Sequence, residues 1–386
     1  LGASRVIKKD SPLGAVCGRV CPQEKQCEAK CVLGVKGQSV SIGRLERYAS
    51  DVALGKEALA VSAKTGKKAA IVGAGPAGLT AAGDLARLGH EVVVYDGLSH
   101  AGGVLRYGIP EFRLPNSIVE AEVQTLKNAG VVFVMNTLVG RSRSLADLRR
   151  DFDSIFLGTG AGLPKLLGVP GEDLKGVYTA NEFLTRVNLM RADLFPEMGT
   201  PVTVGKNVIV VGCGNTAMDA ARCSRRLGAN VTVAYRRSVA ESTARKEELE
   251  HAMEEGVIFR WLTTPVTLIG DDGNWVKTAE SAIMELTEPG EDGRCGVRDT
   301  GQRIALPCDT LIVALGCAVN PLLAQEEKGL QTQRGGVLVV NNDTGETSLP
   351  GVFAAGDAIT GGATVILAMG QARKAAAAMH EYMCRG

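Results

Sequence analysis

Two stretches of the chain share one pattern of apolar and polar positions. Residues 67–97, KKAAIVGAGPAGLTAAGDLARLGHEVVVYDG, open with a short apolar run, turn at glycines, pass through an alanine-rich segment and close on a valine-rich run. Residues 206–238, KNVIVVGCGNTAMDAARCSRRLGANVTVAYRRS, repeat the pattern. Short apolar runs bounded by turn residues predict buried strands, and the segment between them predicts a helix stopped by Gly89 or Gly228. Each stretch is therefore a βαβ unit, which needs a parallel sheet covered by helices. Two more apolar runs ending in glycine turns, SIFLGTGAG (154–162) and TLIVALGCAVNP (310–321), each follow one βαβ unit. The last block, GVFAAGDAITGGATVILAMGQARKAAAAMHEYM, predicts a strand, a Gly-Asp turn and a long helix. Residues 1–65 lack strand alternation and read as a small, mainly helical module.

Composition narrows the class without naming it. A length of 386 residues suits two or three domains. Glycine fills 48 positions, well above the usual ~7%, yet follows no G-X-Y period, so it marks tight turns. Lys+Arg 43 against Asp+Glu 42 leaves a net charge of +1 and no basic run that suggests a nucleic-acid partner. No apolar stretch is long enough for a membrane helix, and the first residues hold no signal-peptide core, so a cytoplasmic protein is expected.

Gly73-Ala74-Gly75-Pro76-Ala77-Gly78 fits a dinucleotide fingerprint. Gly73 permits the tight turn, Gly75 lets backbone approach a pyrophosphate, and Gly78 lets helix and strand pack closely. The helix N-terminus offers N–H groups and the positive end of its dipole. Asp96 ends the second strand, where a carboxylate can accept from ribose hydroxyls. In the second βαβ unit, Gly212-Cys213-Gly214-Asn215-Thr216-Ala217 takes the same place. Its second strand ends in Arg236-Arg237-Ser238 instead of an acid. A carboxylate repels a 2′-phosphate whereas a guanidinium fork binds one, so the second site is expected to take NADPH. The plainer alternative is two solvated arginines. Gly356-Asp357 before a helix is, alone, an ordinary cap. Beside the first fingerprint it points to a flavin, with Asp357 on the ribityl chain and the helix from Thr364 aimed at the isoalloxazine.

Four of the ten cysteines crowd together as Cys17, Cys21, Cys27 and Cys31. Their spacing is not the paired C-x2-C of zinc sites, nor the bacterial ferredoxin run; an iron–sulfur site is expected ahead of zinc. The other six (Cys213, Cys223, Cys295, Cys308, Cys317 and Cys384) are scattered and read as single buried thiols.

The phrases AVCGRVCPQEKQCEAKC, SIGRLERY, AGGVLRYGIPEFRLP, GTGAGLPKLLGVPGEDLKGVYTANEFLTRVNLMRA, AYRRS and GGATVILAMGQARKAA extend over nearly the whole chain. Together they resemble the small (beta) subunit of NADPH-dependent glutamate synthase. They are also similar to the large subunit of NADH-dependent ferredoxin:NADP oxidoreductase (sulfide dehydrogenase) and to a module of dihydropyrimidine dehydrogenase. The resemblance implies an α/β fold: two Rossmann-like doubly wound domains, the FAD domain split by an inserted NADPH domain, after a small helical iron–sulfur module. It places that module at 1–65, the FAD domain at 66–165 and 321–386, and the NADPH domain at 166–320. By the same resemblance FAD is held by Gly73, Gly75, Pro76, Ala77, Gly78, Asp96, Gly103, Arg113, Val139, Gly160, Gly356, Asp357, Thr364 and Val365. NADPH is held by Gly212, Gly214, Asn215, Thr216, Arg236, Arg237 and Gly316. Cys21, Cys27 and Glu46 are implied ligands of one 4Fe-4S cluster and Cys31 of another, with Cys17 the least certain member. The relatives carry an upstream cysteine set that this chain lacks, so a truncated N-terminus and an incomplete ligand set are expected. Ser242-Thr243 stands where relatives usually carry Met-Pro, Asn116 where they carry Lys, and Asp96 where Glu is more frequent.

The expected activity is that of an NADPH-dependent FAD iron–sulfur oxidoreductase. A hydride would pass from NADPH to FAD and single electrons onward to a partner subunit. Hydride transfer needs orientation more than an acid or base, so no catalytic side chain is named. The expected partner is a large synthase (alpha) subunit or, alternatively, a ferredoxin-reductase-like small subunit. A thioredoxin-reductase-type activity needs a redox C-x-x-C beside the flavin, and no cysteine lies between Cys31 and Cys213. A non-catalytic flavin- or nucleotide-binding scaffold is the rival from another class.

Overall fold

The computed structural model describes residues 1–191, 202–290 and 295–385, together with 194 and 197. The chain divides into two compact units. One comprises Leu1–Arg106, Glu111–Leu163 and the chain from Cys317 onward; the other comprises Tyr107–Pro110 and Pro164–Gly316.

The first unit is built on a five-stranded parallel sheet in the order Val352–Ala354, Ser154–Leu157, Lys68–Val72, Glu91–Tyr95, Val132–Val134. Lys68–Val72 is flanked on both sides and its Ala69, Ala70 and Ile71 are fully buried, as its unbroken apolar run requires. The connections run outward in both directions from this strand, so its carboxyl end is the switch point of the sheet. Helix Pro76–Arg87 follows that end, with Pro76 at its first position and Gly75 as N-cap. Its small residues Ala77, Gly78, Ala81, Ala82 and Ala86 are buried. They allow close packing of helix Val365–Cys384, whose Ala372, Ala375, Ala376 and Met379 are buried in turn. Arg373 Nε donates to Asp84 Oδ2 at 3.0 Å and pins the pair.

Residues 1–53 form the small helical module in this unit. Helix Gly14–Val20 lies against helix Ile42–Ala53 so closely that a Cβ on Gly18 would stand 2.6 Å from the Arg47 backbone nitrogen. The buried Arg19 forks onto both oxygens of Asp51, at 2.7 and 2.9 Å. On helix Asn116–Asn128, Glu122 is only 6% exposed. Burial pushes its carboxyl up to about 7, against a smaller opposing pull from Lys8.

The second unit repeats the parallel architecture: Val177–Thr179, Thr310–Val313, Asn207–Val211, Asn230–Tyr235, Ile258–Trp261. A feature absent from the sequence expectations is a three-stranded antiparallel sheet of Thr263–Gly270, Val276–Pro289 and Cys295–Pro307. Its signal was present. Val276, Ala279 and Ala282 are buried among polar neighbours, and Asp271 Oδ1 accepts from Gly273 N and Trp275 N at the tight turn. Two bulges interrupt the alternation in each pairing. On helix Asn215–Arg226 the buried Arg222 donates to Glu248 at 2.5 Å and to Glu255 at 2.9 Å.

Two stability measurements follow. Truncating Arg222 leaves Glu248 buried without its main counter-charge, so Arg222→Ala is expected to cost about 3–5 kcal/mol. Both tryptophans, Trp261 and Trp275, lie in the second unit, so urea unfolding read by tryptophan fluorescence isolates this loss. For Glu122 the sign is the reverse of an ion pair. At acid pH both states are protonated; as pH rises the unfolded carboxyl ionises first, and folding is progressively disfavoured until about pH 7. Glu122→Gln is therefore expected to stabilise by about 3 kcal/mol near pH 8 and by almost nothing near pH 4, at roughly 1.4 kcal/mol per pH step.

Candidate functional site

Each parallel sheet carries one glycine turn at the carboxyl end of its central strand, and the two turns are built alike. Gly73 has φ +103° and its N–H donates to Tyr95 O at 2.8 Å; Gly212 has φ +121° and donates to Ala234 O at 3.0 Å. A Cβ on Gly73 would collide with the carbonyl of Gly158, and one on Gly212 would meet Ala314 O at 2.5 Å. Those carbonyls belong to the glycine turns after strands Ser154–Leu157 and Thr310–Val313, the two extra runs recognised in the sequence. The glycines are therefore required by backbone passing over backbone.

The middle glycines differ in kind. Gly75 has φ −80°, which any residue adopts, and the nearest atom to a Cβ there is Gly103 Cα at 4.0 Å. Gly214 has φ −105°, and its Cβ would meet only the Thr243 hydroxyl, at 3.3 Å. Both helices that follow begin without a side-chain cap, as does Val365–Cys384 after Thr364. By contrast Ser144 and Thr179 cap their own helices through side-chain oxygens. Uncapped first-turn N–H groups beside an open glycine fit a phosphate or an anionic ring edge.

Around the first turn the structure gathers Asp96, Gly103, Gly356 and Asp357. Asp96 accepts from Ala74 N at 2.7 Å and Leu98 N at 2.8 Å, while Gly102 N donates to Ala74 O at 2.8 Å. Gly356, at φ +72°, lies where a Cβ would stand 3.1 Å from that of Ala77, and Asp357 accepts from Ala363 N at 3.0 Å. Burial pushes both carboxyls up against the pull of these N–H groups. Hydroxyls of a ribose or ribityl chain would offset that cost, so the residues fit a flavin dinucleotide. Gly160, at φ +69°, borders open space. Val139 is buried in the core beside Tyr95 and Leu145, so only its backbone is available to a ligand. Arg113 is half-buried.

At the second turn, Tyr235 takes the place Asp96 holds at the first, and its hydroxyl donates to Glu241 O at 2.9 Å. The two arginines that follow are unlike each other. Arg237 is half-buried and its Nε donates to Cys295 O at 3.1 Å, on the antiparallel sheet. Arg236 is exposed and makes no hydrogen bond or ion pair among the described residues. Asn215 is already engaged, its Oδ1 accepting from Arg245 N at 2.9 Å, whereas Thr216 is exposed. Gly316 is exposed at φ +86°. Ser242 and Thr243 donate hydroxyls to the Cys213 carbonyl at 3.2 and 3.4 Å, so the loop is tied to the turn by groups a Met-Pro pair does not have.

Cys17 and Cys21 lie together and buried, with Cys17 Sγ 3.4 Å from Met369 Sδ on the C-terminal helix. The hydrogen bond the Cys17 thiol gives to Cys21, burial and the charges of Cys21 and Glu46 all push that thiol up. Glu46 is half-buried, and burial raises its carboxyl as well. Cys27 is exposed, and Cys31 Sγ accepts from Val40 N at 3.5 Å, a contact that lowers its thiol. The buried Cys17 thiol and the half-buried Glu46 carboxyl, both raised, are groups that a cationic iron cluster would ionise and neutralise. Among the scattered cysteines, Cys213, Cys223 and Cys308 are buried as expected, whereas Cys295 and Cys317 are half-buried and Cys384, at the end of its helix, is exposed.

A profile for pyridine nucleotide-disulphide oxidoreductases matches residues 67–378. The chain belongs to that family. Residues 1–58 match a second profile, dihydropyrimidine dehydrogenase domain II, 4Fe-4S cluster. This oxidoreductase is 36% identical to the NADPH glutamate synthase small chain of Escherichia coli, over 97% of this chain and 81% of that one. It is equally, 36%, identical to the beta subunit of an NADP(+)-dependent formate dehydrogenase of Moorella thermoacetica, over 99% of this chain but only 56% of that one. In fold it is similar to Mycobacterium tuberculosis FprA in complex with NADPH, with a TM-score of 0.69 at 21% identity over 83% of this chain and 85% of that one. The cofactors that go with the two families are FAD, a pyridine nucleotide and a 4Fe-4S cluster.

Because Gly75 is not strained, Gly75→Ala is expected to leave stability within about 0.5 kcal/mol of the parent. It should nevertheless release flavin on gel filtration, where the parent retains it. Gly73→Ala, which forces two backbones apart, should lower both flavin content and the thermal midpoint.

Proposed function

We propose that this oxidoreductase is an electron-input subunit, taking reducing equivalents from NADPH and handing electrons to a partner through its cysteine module. The observation that carries the reading is Arg236. It stands exposed, with no hydrogen bond or ion pair among the described residues, just after strand Asn230–Tyr235 and one position beyond the counterpart of Asp96. A 2′-phosphate there would meet an exposed guanidinium, while Arg237 is oriented by Cys295 O and Glu241 is held by Ser238. The glycine turn and the uncapped helix from Asn215 would take the pyrophosphate.

In the first unit, Gly73, Gly75, Gly78, Asp96, Gly356 and Asp357 would hold FAD. When bound, FAD supplies the exchange between two-electron nicotinamide chemistry and one-electron iron–sulfur chemistry. The chain's own contribution is placement. The turn before helix Val365–Cys384 belongs to the flavin cradle, and the same helix touches Cys17 through Met369. Gln26 Nε2 donates to Thr364 Oγ1 at 3.2 Å, tying the cysteine segment to the helix start. Cys21, Cys27, Cys31 and Glu46 would bind iron.

The partner is less specified than the input. Equal identity to a glutamate synthase small chain and to a formate dehydrogenase subunit supports a module whose final acceptor is set by the partner. A large glutamate synthase subunit is our preferred partner. Cys27 is exposed near Val32, Leu33 and Val35, whose exposures of 80%, 58% and 82% suit a protein contact.

Anaerobic addition of NADPH to flavin-loaded protein should bleach the flavin band; an unchanged spectrum would sink the proposal. Arg236→Ala is expected to weaken NADPH by about 2 kcal/mol with little change for NADH. Arg237→Ala should do less at the phosphate and more to the fluorescence-detected stability of the second unit. Mixing with candidate partners, assayed for glutamate formation and for ferredoxin reduction, separates the two expected complexes.

A further inference from the structure

We propose that His90, His380 and Cys384 form a zinc site at the amino-terminal end of the first sheet's strands, away from the dinucleotide turn. His90 precedes strand Glu91–Tyr95, whose first residue pairs with Lys68; the glycine turn follows the other end of that strand pair, after Val72. His380 and Cys384 are four residues apart on helix Val365–Cys384, so one face presents both. His90 Nε2 lies 2.8 Å from His380 Nδ1, and Cys384 Sγ lies 3.7 Å from the same nitrogen. One ligand atom from each residue falls within 4.8 Å of the others, and this is the one such group of histidine, cysteine and acidic residues among the described residues.

The surroundings prepare His90 as a ligand. Thr65 Oγ1 is 2.8 Å from His90 Nδ1, accepts from Lys67 N at 3.2 Å and reaches Gly89 O at 3.4 Å. The arrangement that satisfies all three contacts has the hydroxyl hydrogen on Gly89 O and the imidazole hydrogen on Nδ1. The Nε2 lone pair then points at His380. Burial and the facing His380 push the His90 imidazole down, toward the neutral form that binds metal. Around a tetrahedral ion, Zn–N of ~2.0 Å and Zn–S of ~2.3 Å put ligand atoms roughly 3.3–3.7 Å apart, so the imidazoles need open by only about half an ångström. Two imidazoles and one thiolate select a borderline-soft divalent ion over magnesium or calcium. Binding deprotonates the Cys384 thiol and releases one proton; His380, which without metal donates its Nδ1 hydrogen to His90 Nε2, moves that hydrogen to Nε2, and the exposed side of Cys384 leaves the fourth position to water. The ion would fasten the end of the last helix to the start of a central strand.

The test uses the full chain with its FAD and clusters loaded, cleared of loose metal and titrated with zinc against a chromophoric chelator. One zinc per chain is expected, with two nitrogen and one sulfur ligands by X-ray absorption and a raised thermal midpoint. Cys384→Ser, at an exposed position, keeps the fold; it and His380→Asn should each lower affinity by more than about 100-fold, and Thr65→Val by about 10-fold. Absence of zinc binding would overturn the proposal, leaving a hydrogen-bonded histidine pair beside a free thiol. So would binding that is unchanged in Cys384→Ser and His380→Asn, which would place the metal on the cysteine module.

Discussion

The fold turns on a contact between two backbones. In each parallel sheet, the first glycine of the turn lies directly over a carbonyl of the next crossing, Gly73 over Gly158 and Gly212 over Ala314. No side chain fits between them. The turn is therefore tight, the following helix starts immediately, and its first N–H groups face outward without a cap. Uncapped donors are thus a by-product of packing: the same approach that closes the sheet leaves N–H groups for a ligand or solvent to satisfy. The third position shows the limit of the symmetry. A Cβ on Gly78 would strike the Gly73 carbonyl, whereas the second unit accommodates Ala217.

The parts of the molecule legible from the sequence are those whose causes are local. Apolar runs of a few residues, a glycine with φ near +100° and an alanine-rich helix follow one another in each βαβ stretch. The cysteine cluster announces itself by density, and a long family resemblance adds the cofactors. The antiparallel sheet of the second unit was missed because its bulges break the alternation and many of its faces are half-exposed, so no run stands out. Arg236 and Arg237 look equivalent in sequence. They part company only because Cys295, 58 positions beyond Arg237, brings a carbonyl to one of them. The histidine–cysteine group unites the two ends of the first unit; H-x3-C on a helix was its local sign, but His90 has none.

Charge and burial divide the labour differently in the two units. The first places carboxyls, Asp96 and Asp357, where hydroxyl-bearing ligands can relieve their desolvation. The second leaves an exposed cation at the corresponding edge and reserves its buried ion pairs for stability, in the Arg222 network. One scaffold thereby presents different charges at corresponding strand ends, while the glycine geometry beneath stays the same.

The contact between Cys17 and Met369 spans 352 positions of the chain. During synthesis the cysteine segment is made well before the helix that covers it. Until that helix docks, Cys17 and Cys21 lack one wall of their pocket, and the glycine turn lacks Gly356 and Asp357. Completion of the Cys17 pocket and of the surroundings of the glycine turn therefore depends on one segment, residues 356–384.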